Sequence, residues 1–244
     1  MNLVFDIGFN LGQFAQVCME KHPNCKIVAL EANPTLTYGF NAEAGEWADP
    51  KFFQEDNLVL LNYLVSDKSE EYLDFFFDDR HHGIGTACKE WISNSRFGKG
   101  SKYVDGSQKG SWPYSIIVPT ITLDNLVDKY GMPDLIKIDV EGYEDIVLKG
   151  LTKKTKKICF EWVEELYAPA QNCLDHLKSL GYAEFGVVGY FEDAVPSIAT
   201  SDPAGGDNHM REPEEYFSYE EINKWMNFTN MPDRRINWGM IWAK

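Results

Sequence analysis

A glycine-rich turn near the beginning of the chain has the residue types of a cofactor-binding loop. Residues 6–12 follow the apolar run Leu3–Phe5 and include two glycines, Gly8 and Gly12. Glycine lacks the Cβ atom that would hold a ligand away from the backbone, and it permits the positive φ angles of a tight turn. Such a turn, placed between a strand and a helix, directs backbone amides at the ligand. Glu31 ends the next apolar run, where a carboxylate can accept hydrogen bonds from both hydroxyls of a ribose. Together these residues predict an adenosine-containing cofactor.

The charge of the turn indicates which cofactor this is. A nicotinamide dinucleotide favours the spacing Gly-x-Gly-x-x-Gly and places its pyrophosphate on the turn. Here the glycines are four residues apart and the carboxylate of Asp6 leads the motif, which would repel a pyrophosphate. S-adenosylmethionine (SAM) carries an ammonium and a sulfonium, and a carboxylate favours both. We therefore predict SAM as the cofactor and S-adenosylhomocysteine (SAH) as the product, and we keep an NAD-dependent oxidoreductase as the alternative.

Three carboxylates lie near the ends of two further apolar runs. Asp139 and Glu141 follow the run at 135–138, and Glu161 lies in the run at 156–162. In open parallel sheets ligands bind at the carboxyl ends of the strands. Asp139 and Glu141 would face the same side of an extended segment, where Lys137 could pair with either. Asp139 could orient the methionine amine of SAM or the acceptor, one of the acids could be a general base, or all three could share Mg²⁺ or Ca²⁺. The alternative is that Glu141 and Glu144 are first-turn acids that favour the dipole of the next helix.

Apolar runs alternate with helical segments along the chain, and this order predicts an α/β fold with a mainly parallel sheet. Strands are predicted at 3–6, 26–30, 57–65, 72–77, 116–118, 135–140, 156–162, 183–190 and 236–243, and helices at 13–21, 144–149, 173–180 and 218–226, with further helices opening at 33–35 and 122. Residues 78–115 and 191–235 lack such periodicity. Long loops inside a compact domain are usually functional or mobile, so we interpret both as flap insertions beside the active site. The 244 residues suit a single domain that carries these insertions.

The net charge of −15 limits the classes of partner. A strongly acidic protein repels nucleic-acid phosphates and anionic membrane surfaces, which argues against an RNA methyltransferase and against membrane binding. No apolar run is long enough for a membrane span, no signal peptide precedes the first strand, and the five cysteines include no Cys-x-x-Cys pair. We therefore expect reduced thiols and a cytoplasmic protein.

The chain resembles the FkbM-type SAM-dependent methyltransferase family in three segments. These are Val4–Phe14, Val28–Pro34 and Thr122–Gly150, the last of which contains the run Ile136–Glu144. The resemblance implies a Rossmann-like class I methyltransferase fold, with a seven-stranded, mostly parallel sheet, an antiparallel last strand and helices on both faces. It also implies O-methylation, and we expect the acceptor to be a hydroxyl of a glycan or of a glycosylated small molecule. Finally, it implies cofactor contacts, in which the methionine part is held by Asp6, Gly8, Asn10 and Gly12, the ribose by Glu31 and Ala32, and the adenine lies near Ser66 and Asp67.

Methyl transfer to such an acceptor requires a base or a metal, because sugar hydroxyls are weakly acidic. The candidate bases are Asp139, Glu161 and a flap histidine, for which the adjacent pair His81 and His82 is favoured over His209. Aromatic residues of the flaps could stack on sugar rings or could pack the flaps onto the domain: Trp91, Trp112, Tyr114, Tyr216 and Trp225.

The position of the first strand predicts a larger protein. Family members usually carry residues before this strand that help to cover the cofactor, whereas here it starts at Leu3. We expect the chain to be one domain of a longer protein, in which it is fused to other glycan-processing domains. A non-catalytic module that binds SAM or nothing, and serves interaction, is a further alternative function.

Overall fold

The computed structural model of the protein describes residues 1–37, 40–41, 46–47, 55–79, 81–98, 112–190, 199–201, 211–229 and 238–244. The strands in chain order are β1 Leu3–Ile7, β2 Lys26–Leu30, β3 Phe40–Asn41, β4 Glu46–Trp47, β5 Leu58–Leu61, β6 Leu64–Val65, β7 Tyr72–Phe77, β8 Tyr114–Ile121, β9 Leu135–Ile138, β10 Ile158–Val163, β11 Phe185–Tyr190, β12 Ala199–Ser201 and β13 Trp238–Ala243. The helices are α1 Gln13–Lys21, α2 Pro34–Thr37, α3 Lys89–Asn94, α4 Leu123–Tyr130, α5 Glu144–Lys149, α6 Tyr167–Ser179 and α7 Tyr219–Thr229.

In the described part of the chain, the central sheet has the strand order β12-β11-β13-β10-β9-β1-β2-β5. The pairings from β10 through β9, β1 and β2 to β5 are parallel. The final strand, β13, lies between β10 and β11 and runs antiparallel to both. The strands from β11 to β5 therefore have the predicted Rossmann-like methyltransferase arrangement, and the fold prediction is confirmed. The short strand β12 extends this sheet at one edge.

Helices cover both faces of this sheet, as predicted. Because side chains alternate along a strand, Phe5 and Ile7 of β1 pack in one core with residues of α4, α5, α6 and α7. Val4 faces the other way and packs in a second core with residues of α1. Both cores leave the carboxyl ends of β1, β2, β9 and β10 at one edge, where the predicted site residues lie. No helix in the ranges given above has the length and apolar character that crossing a membrane requires.

The single strand predicted at 57–65 is wrong, because the chain breaks it at Asn62 and Tyr63. The side-chain amide of Asn62 donates hydrogen bonds to the carbonyl oxygens of Glu31 (2.9 Å) and Ala32 (3.0 Å), beyond the end of β2. The first part, β5, stays in the central sheet, whereas β6 pairs with β8 in a separate sheet of order β6-β8-β7. One polar side chain therefore ends the strand within an apolar run.

The described part of the first predicted flap is a packed element. Residues His82–Ile84 form a 3₁₀ turn, and α3 follows it. Trp91 of α3 is 1% exposed and packs against Val163 and Leu166, at the end of β10 and in the turn that follows. The sequence predicted neither this helix nor its contact with the carboxyl end of the sheet.

Candidate active site

The turn after β1 brings the backbone close to the end of β9. Gly8 has a φ of +82°, and a Cβ atom at this position would lie 1.8 Å from the carbonyl oxygen of Asp139. The N–H groups of Gly8 and Phe9 both donate to the carbonyl oxygen of Leu30 at 3.0 Å. Gly12, with a φ of 83°, caps the N-terminus of α1. The predicted tight turn is present, and position 8 requires glycine for both conformation and space.

The carboxylate of Glu31 is oriented by the backbone beside this turn. Its Oε2 accepts a hydrogen bond from the N–H of Asn10, and its Oε1 accepts one from the N–H of Asn33, both at 2.8 Å. The residue is 6% exposed, and burial raises the pKa of its carboxyl group although the two amides oppose the shift. Each carboxylate oxygen can accept a second hydrogen bond. Glu31 can therefore still accept the hydroxyl hydrogens of a ribose.

Lys137 links the turn to the end of β9. Its ammonium donates a hydrogen bond to the carbonyl oxygen of Gly8 at 2.6 Å, and it lies 3.3 Å from Asp6 Oδ1 and 3.6 Å from Asp139 Oδ2. Burial raises the pKa of Asp6 to about 6, and the charge of Lys137 opposes this rise. Burial alone would lower the pKa of Lys137, but the charges of the two aspartates raise it. The predicted pair of Lys137 with Asp139 is present, and Asp6 is a further partner.

Asp139, Glu141 and Glu161 form a group that we call the acid cluster. One carboxylate oxygen from each residue lies within 4.8 Å of the others. Burial, followed by the charge of Asp139, raises the pKa of both Glu141 and Glu161. Carboxylates this close repel one another when ionised, and a proton or a divalent cation relieves the repulsion. Glu141 has a φ of 56°, so it reaches the cluster from a turn and not from the extended segment that we predicted.

Hydrogen bonds of two side chains, those of Glu144 and Thr86, hold the turn at Glu141 in shape. Glu144 is 5% exposed, and its Oε1 accepts hydrogen bonds from the N–H groups of Val140 (3.0 Å) and Gly142 (3.3 Å). Burial raises the pKa of Glu144 to about 7. The hydroxyl of Thr86, which precedes α3, donates to the carbonyl oxygen of Glu141 at 2.7 Å. Glu144 is therefore more than a first-turn acid of α5, because it also fixes the position of the acid cluster.

An ion pair that the sequence did not reveal lies near the acid cluster. Arg96 donates from its backbone N–H (3.1 Å) and Nε (2.7 Å) to Glu165 Oε1, and from Nη2 to Oε2 (2.9 Å). The Glu165 side chain is fully buried. The charge of Arg96 opposes the rise in the pKa of Glu141 and of Glu161. This bidentate pair ties the segment after α3 to the turn after β10.

These elements surround a cleft of about 320 Å³. Its lining joins the turn and Glu31 to the acid cluster, and it includes seven residues that the sequence singled out, namely Gly8, Asn10, Glu31, His82, Asp139, Glu141 and Glu161. A small apolar recess of about 30 Å³ shares Gly8 with the cleft and is lined by Ala32, Leu64, Val65 and Tyr143 among others. The cleft therefore brings most of the predicted site residues together.

Several predicted residues do not line the cleft. Asp6 is fully buried next to Lys137, and Ser66 is 1% exposed with its hydroxyl 3.4 Å from that of Tyr143. Asp67 is exposed, and the neighbouring apolar residues, not this turn, line the recess. His81 lies next to His82 but outside the lining, and His209 lies outside the described residues. Direct cofactor contacts of Asp6, Ser66 and Asp67 stay predictions.

Among the described residues, the five aromatics predicted to stack on a sugar are absent from the cleft lining. Trp91 and Trp225 are buried in the cores, and the Nε1–H of Trp112 donates to the carbonyl oxygen of Ile84 at 2.7 Å. The positions of these three tryptophans fit the alternative that they pack the irregular segments onto the domain. The aromatic rings that do line the cleft include those of Phe75 and Trp238. Phe75 belongs to the aromatic run at 75–77, which was the one signal in the sequence that could have indicated it.

Comparisons with solved structures give only distant similarities. The methyltransferase FkbM of Methylobacillus flagellatus matches 74% of this chain and 38% of its own, with 13% identity and a TM-score of 0.42. The precorrin-6y C5,15-methyltransferase of Geobacter metallireducens matches 99% of this chain and 80% of its own, with 13% identity and a TM-score of 0.43.

The sequence itself matches one curated methyltransferase and one methyltransferase family model. It is 27% identical over 165 residues to the hexuronic acid methyltransferase AglP of Haloferax volcanii, and the alignment covers 67% of this chain and 55% of that protein. The chain thus spans about half the length of this curated relative. The family model for the methyltransferase FkbM domain matches residues 6–226, a range that begins at the turn and contains Glu31 and the whole acid cluster. The chain therefore belongs to the methyltransferase FkbM domain family.

Proposed function

We propose that this protein transfers the methyl group of SAM to a hydroxyl oxygen of a sugar, within a glycan or a glycosylated small molecule. The observation that carries the proposal is the composition of the cleft. Its lining joins the Gly8 turn and Glu31, which suit an adenosine cofactor, to the acid cluster, which suits deprotonation of a hydroxyl.

The residues of the cleft fit SAM in two respects. Gly8 lines the cleft and has no side chain, so a ligand can approach its backbone closely. Glu31 has its oxygens oriented by backbone amides and retains the capacity to accept hydrogen bonds from a ribose. When bound, SAM supplies a methyl group that its sulfonium has already activated. The remaining tasks of the protein are to orient the acceptor, to accept its proton and to exclude water.

Glu161 is our preferred proton acceptor. A general base works best when its pKa lies near the working pH, and burial and neighbouring charges raise the pKa of this carboxyl group. SAM bound in the cleft would supply the methyl group to the acceptor oxygen, with the electron pair of the broken carbon–sulfur bond left on sulfur, and the hydroxyl proton would pass to the Glu161 carboxylate. Asp139 and His82 line the same cleft and are the alternative bases.

The choice of a sugar acceptor rests on the family and on one relative. The relative from Haloferax volcanii is named as a hexuronic acid methyltransferase, and that protein is 27% identical to this chain. Phe75 and Trp238 offer aromatic surfaces in the cleft on which a sugar ring can pack. We test this with a methyl-transfer assay on a panel of monosaccharides and oligosaccharides. We expect at least one to be methylated on oxygen, and a panel in which none accepts a methyl group would refute the sugar assignment.

The acid cluster also fits a divalent cation, which would lower the pKa of the acceptor hydroxyl and would be held by Asp139, Glu141 and Glu161. As the alternative to proton transfer by Glu161, a cation held there predicts that EDTA lowers the methyl-transfer rate at least about tenfold, the rate equivalent of about 1.4 kcal/mol, and that Mg²⁺ or Mn²⁺ restores it. The control is SAH binding, which should not change with EDTA. A rate that is insensitive to EDTA would contradict the metal assignment and leave the cluster as a general base.

Substitution of Gly83 tests where the acceptor binds. Gly83 lines the cleft, and a Cβ atom there would meet nothing within 4 Å, so Gly83→Phe adds a ring without a clash at its first atom. We expect the ring to exclude the acceptor, with methyl transfer at least about tenfold slower and SAH affinity within about threefold of wild type. Gly83→Ala is the matched control and should have nearly wild-type activity. Loss of SAH binding in Gly83→Phe would instead assign this part of the cleft to the cofactor.

A further inference from the structure

Lys137 occupies an unusual position for a charged residue. It lies on β9, where its neighbours across the sheet are Asp6 on β1 and Cys159 on β10. Their side chains face α1, and the lysine ammonium is 5.9 Å from the ring of Phe14 on that helix. The Lys137 side chain is only 4% exposed, yet it also contributes to the lining of the cleft. A buried ammonium requires partners for its N–H groups, because desolvation is unfavourable.

Lys137 has one partner in the turn after β1 and another in the acid cluster. The Gly8 carbonyl oxygen, at 2.6 Å, is part of the turn assigned to the cofactor. Asp139, at 3.6 Å, belongs to the acid cluster. Asp6, at 3.3 Å, is fully buried and is not part of the cleft lining. The Gly8 carbonyl oxygen accepts a hydrogen bond from the ammonium, and the two aspartates are its ion-pair partners. The lysine thus contacts two groups that line the cleft and one group behind them.

We propose that Lys137 is a positioning residue for the cofactor: its ammonium fixes the Gly8 peptide group on one side and the Asp139 carboxylate on the other, and Asp6 supplies the charge that keeps the ammonium buried. This inference rests on the proposed SAM cofactor. The hydrogen bond to the Gly8 carbonyl sets the orientation of the peptide plane between Gly8 and Phe9, within the turn that the cofactor contacts. The aspartate that leads the motif therefore acts on the cofactor through Lys137.

A double variant at Asp6 and Lys137 distinguishes the positioning role of Lys137 from a purely structural role. Removing one member of a buried ion pair leaves an uncompensated charge, whereas replacing both members is often tolerated. Lys137→Met is therefore expected to lower the melting temperature, and Asp6→Asn combined with Lys137→Met is expected to restore much of it. If the lysine only neutralises Asp6, the double variant should also bind SAH as well as Asp6→Asn does.

The test compares Asp6→Asn with Asp6→Asn/Lys137→Met, which differ only at Lys137 in a background without the Asp6 charge. SAH affinity is measured by calorimetry and folding by thermal unfolding. We expect SAH binding at least about tenfold weaker in the double variant than in Asp6→Asn, with both proteins folded. Lys153→Met is the matched control, because Lys153 pairs with Asp128 on the exposed surface and should not affect SAH binding.

Three possible outcomes decide between a positioning role for Lys137, a purely structural role for it, and failure of the proposed SAM cofactor. SAH affinities of the two variants within about threefold of each other would overturn the positioning role and leave Lys137 as a structural counter-charge. A weakened affinity in the folded double variant supports the positioning role. Wild-type protein that does not bind SAH would overturn the proposed cofactor, and this inference with it.

Discussion

Gly8→Ala is expected to abolish measurable SAH binding and to lower the stability of the protein, whereas Gly181→Ala should leave SAH binding unchanged. Both glycines have left-handed backbone angles, φ +82° for Gly8 and φ +91° for Gly181, so an alanine at either position bears a strain of about 1–2 kcal/mol. The new Cβ atom meets nothing within 4 Å at position 181. At position 8 it would lie 1.8 Å from the Asp139 carbonyl oxygen, so the turn and the end of β9 must separate.

The difference in SAH affinity between Gly8→Ala and Gly181→Ala isolates the effect of the close contact between position 8 and the Asp139 carbonyl oxygen. Overpacking typically costs about 1–3 kcal/mol beyond the strain that both variants share, and here the displaced atoms belong to the site itself. Calorimetry with SAH and thermal unfolding measure the two effects separately. Equal SAH affinities in the two alanine variants would show that the geometry around Gly8 does not matter for the cofactor.

Glu161→Gln is expected to lower the rate constant for methyl transfer by about 10²–10⁴, the usual contribution of a general acid or base, with SAH affinity within about threefold of wild type. Glutamine has nearly the same shape as glutamate but cannot accept the proton of a hydroxyl. Glu161 belongs to the acid cluster and lines the cleft. The substitution also removes one of three clustered carboxylates, so it should not destabilise the fold.

The matched control for Glu161 is Glu90→Gln on α3. Glu90 is exposed and lies in the segment that packs over the same end of the sheet. This variant should have wild-type rates, since it changes the same charge outside the cleft. A Glu161→Gln enzyme with an undiminished rate would exclude Glu161 as the base, and Asp139→Asn and His82→Gln would then be the variants to compare.

The parts of the site that sequence predicted are those encoded by local patterns. Gly8 and Glu31 each follow an apolar strand in a recognisable turn, and both line the cleft. Asp139 and Glu161 come from different strands, but parallel strands end at a common edge of the sheet, so their proximity could be predicted. The mostly parallel sheet with its antiparallel last strand followed from the family resemblance together with the alternation of strands and helices.

The remaining features depend on contacts between distant residues. Arg96 and Glu165 are 69 residues apart, and nothing in the spacing of either residue indicates their ion pair. Thr86 fixes the turn at Glu141 across a separation of 55 residues. Asn62 ends a strand because its amide meets carbonyl groups beyond the end of β2, a contact that hydrophobic periodicity does not register.

The position of Asp6 in the structure differs from the one that the cofactor prediction assumed. Its charge predicted SAM over a dinucleotide on the assumption that the carboxylate faces the ligand. In the structure the carboxylate is fully buried beside Lys137. The preference for SAM over a dinucleotide therefore rests on the spacing of Gly8 and Gly12 and on membership of the methyltransferase family, because Glu31 could hold the adenosine of either ligand.

The most direct test of the central claim is a calorimetric titration of the wild-type protein with SAH and, separately, with NAD. Both ligands contain an adenosine that Glu31 could hold, so the comparison isolates the part of the ligand that faces Gly8, Lys137 and Asp139. We expect saturable binding of one SAH per chain and no heat of binding with NAD. Saturable binding of NAD without binding of SAH would contradict the assignment of this cleft to methyl transfer.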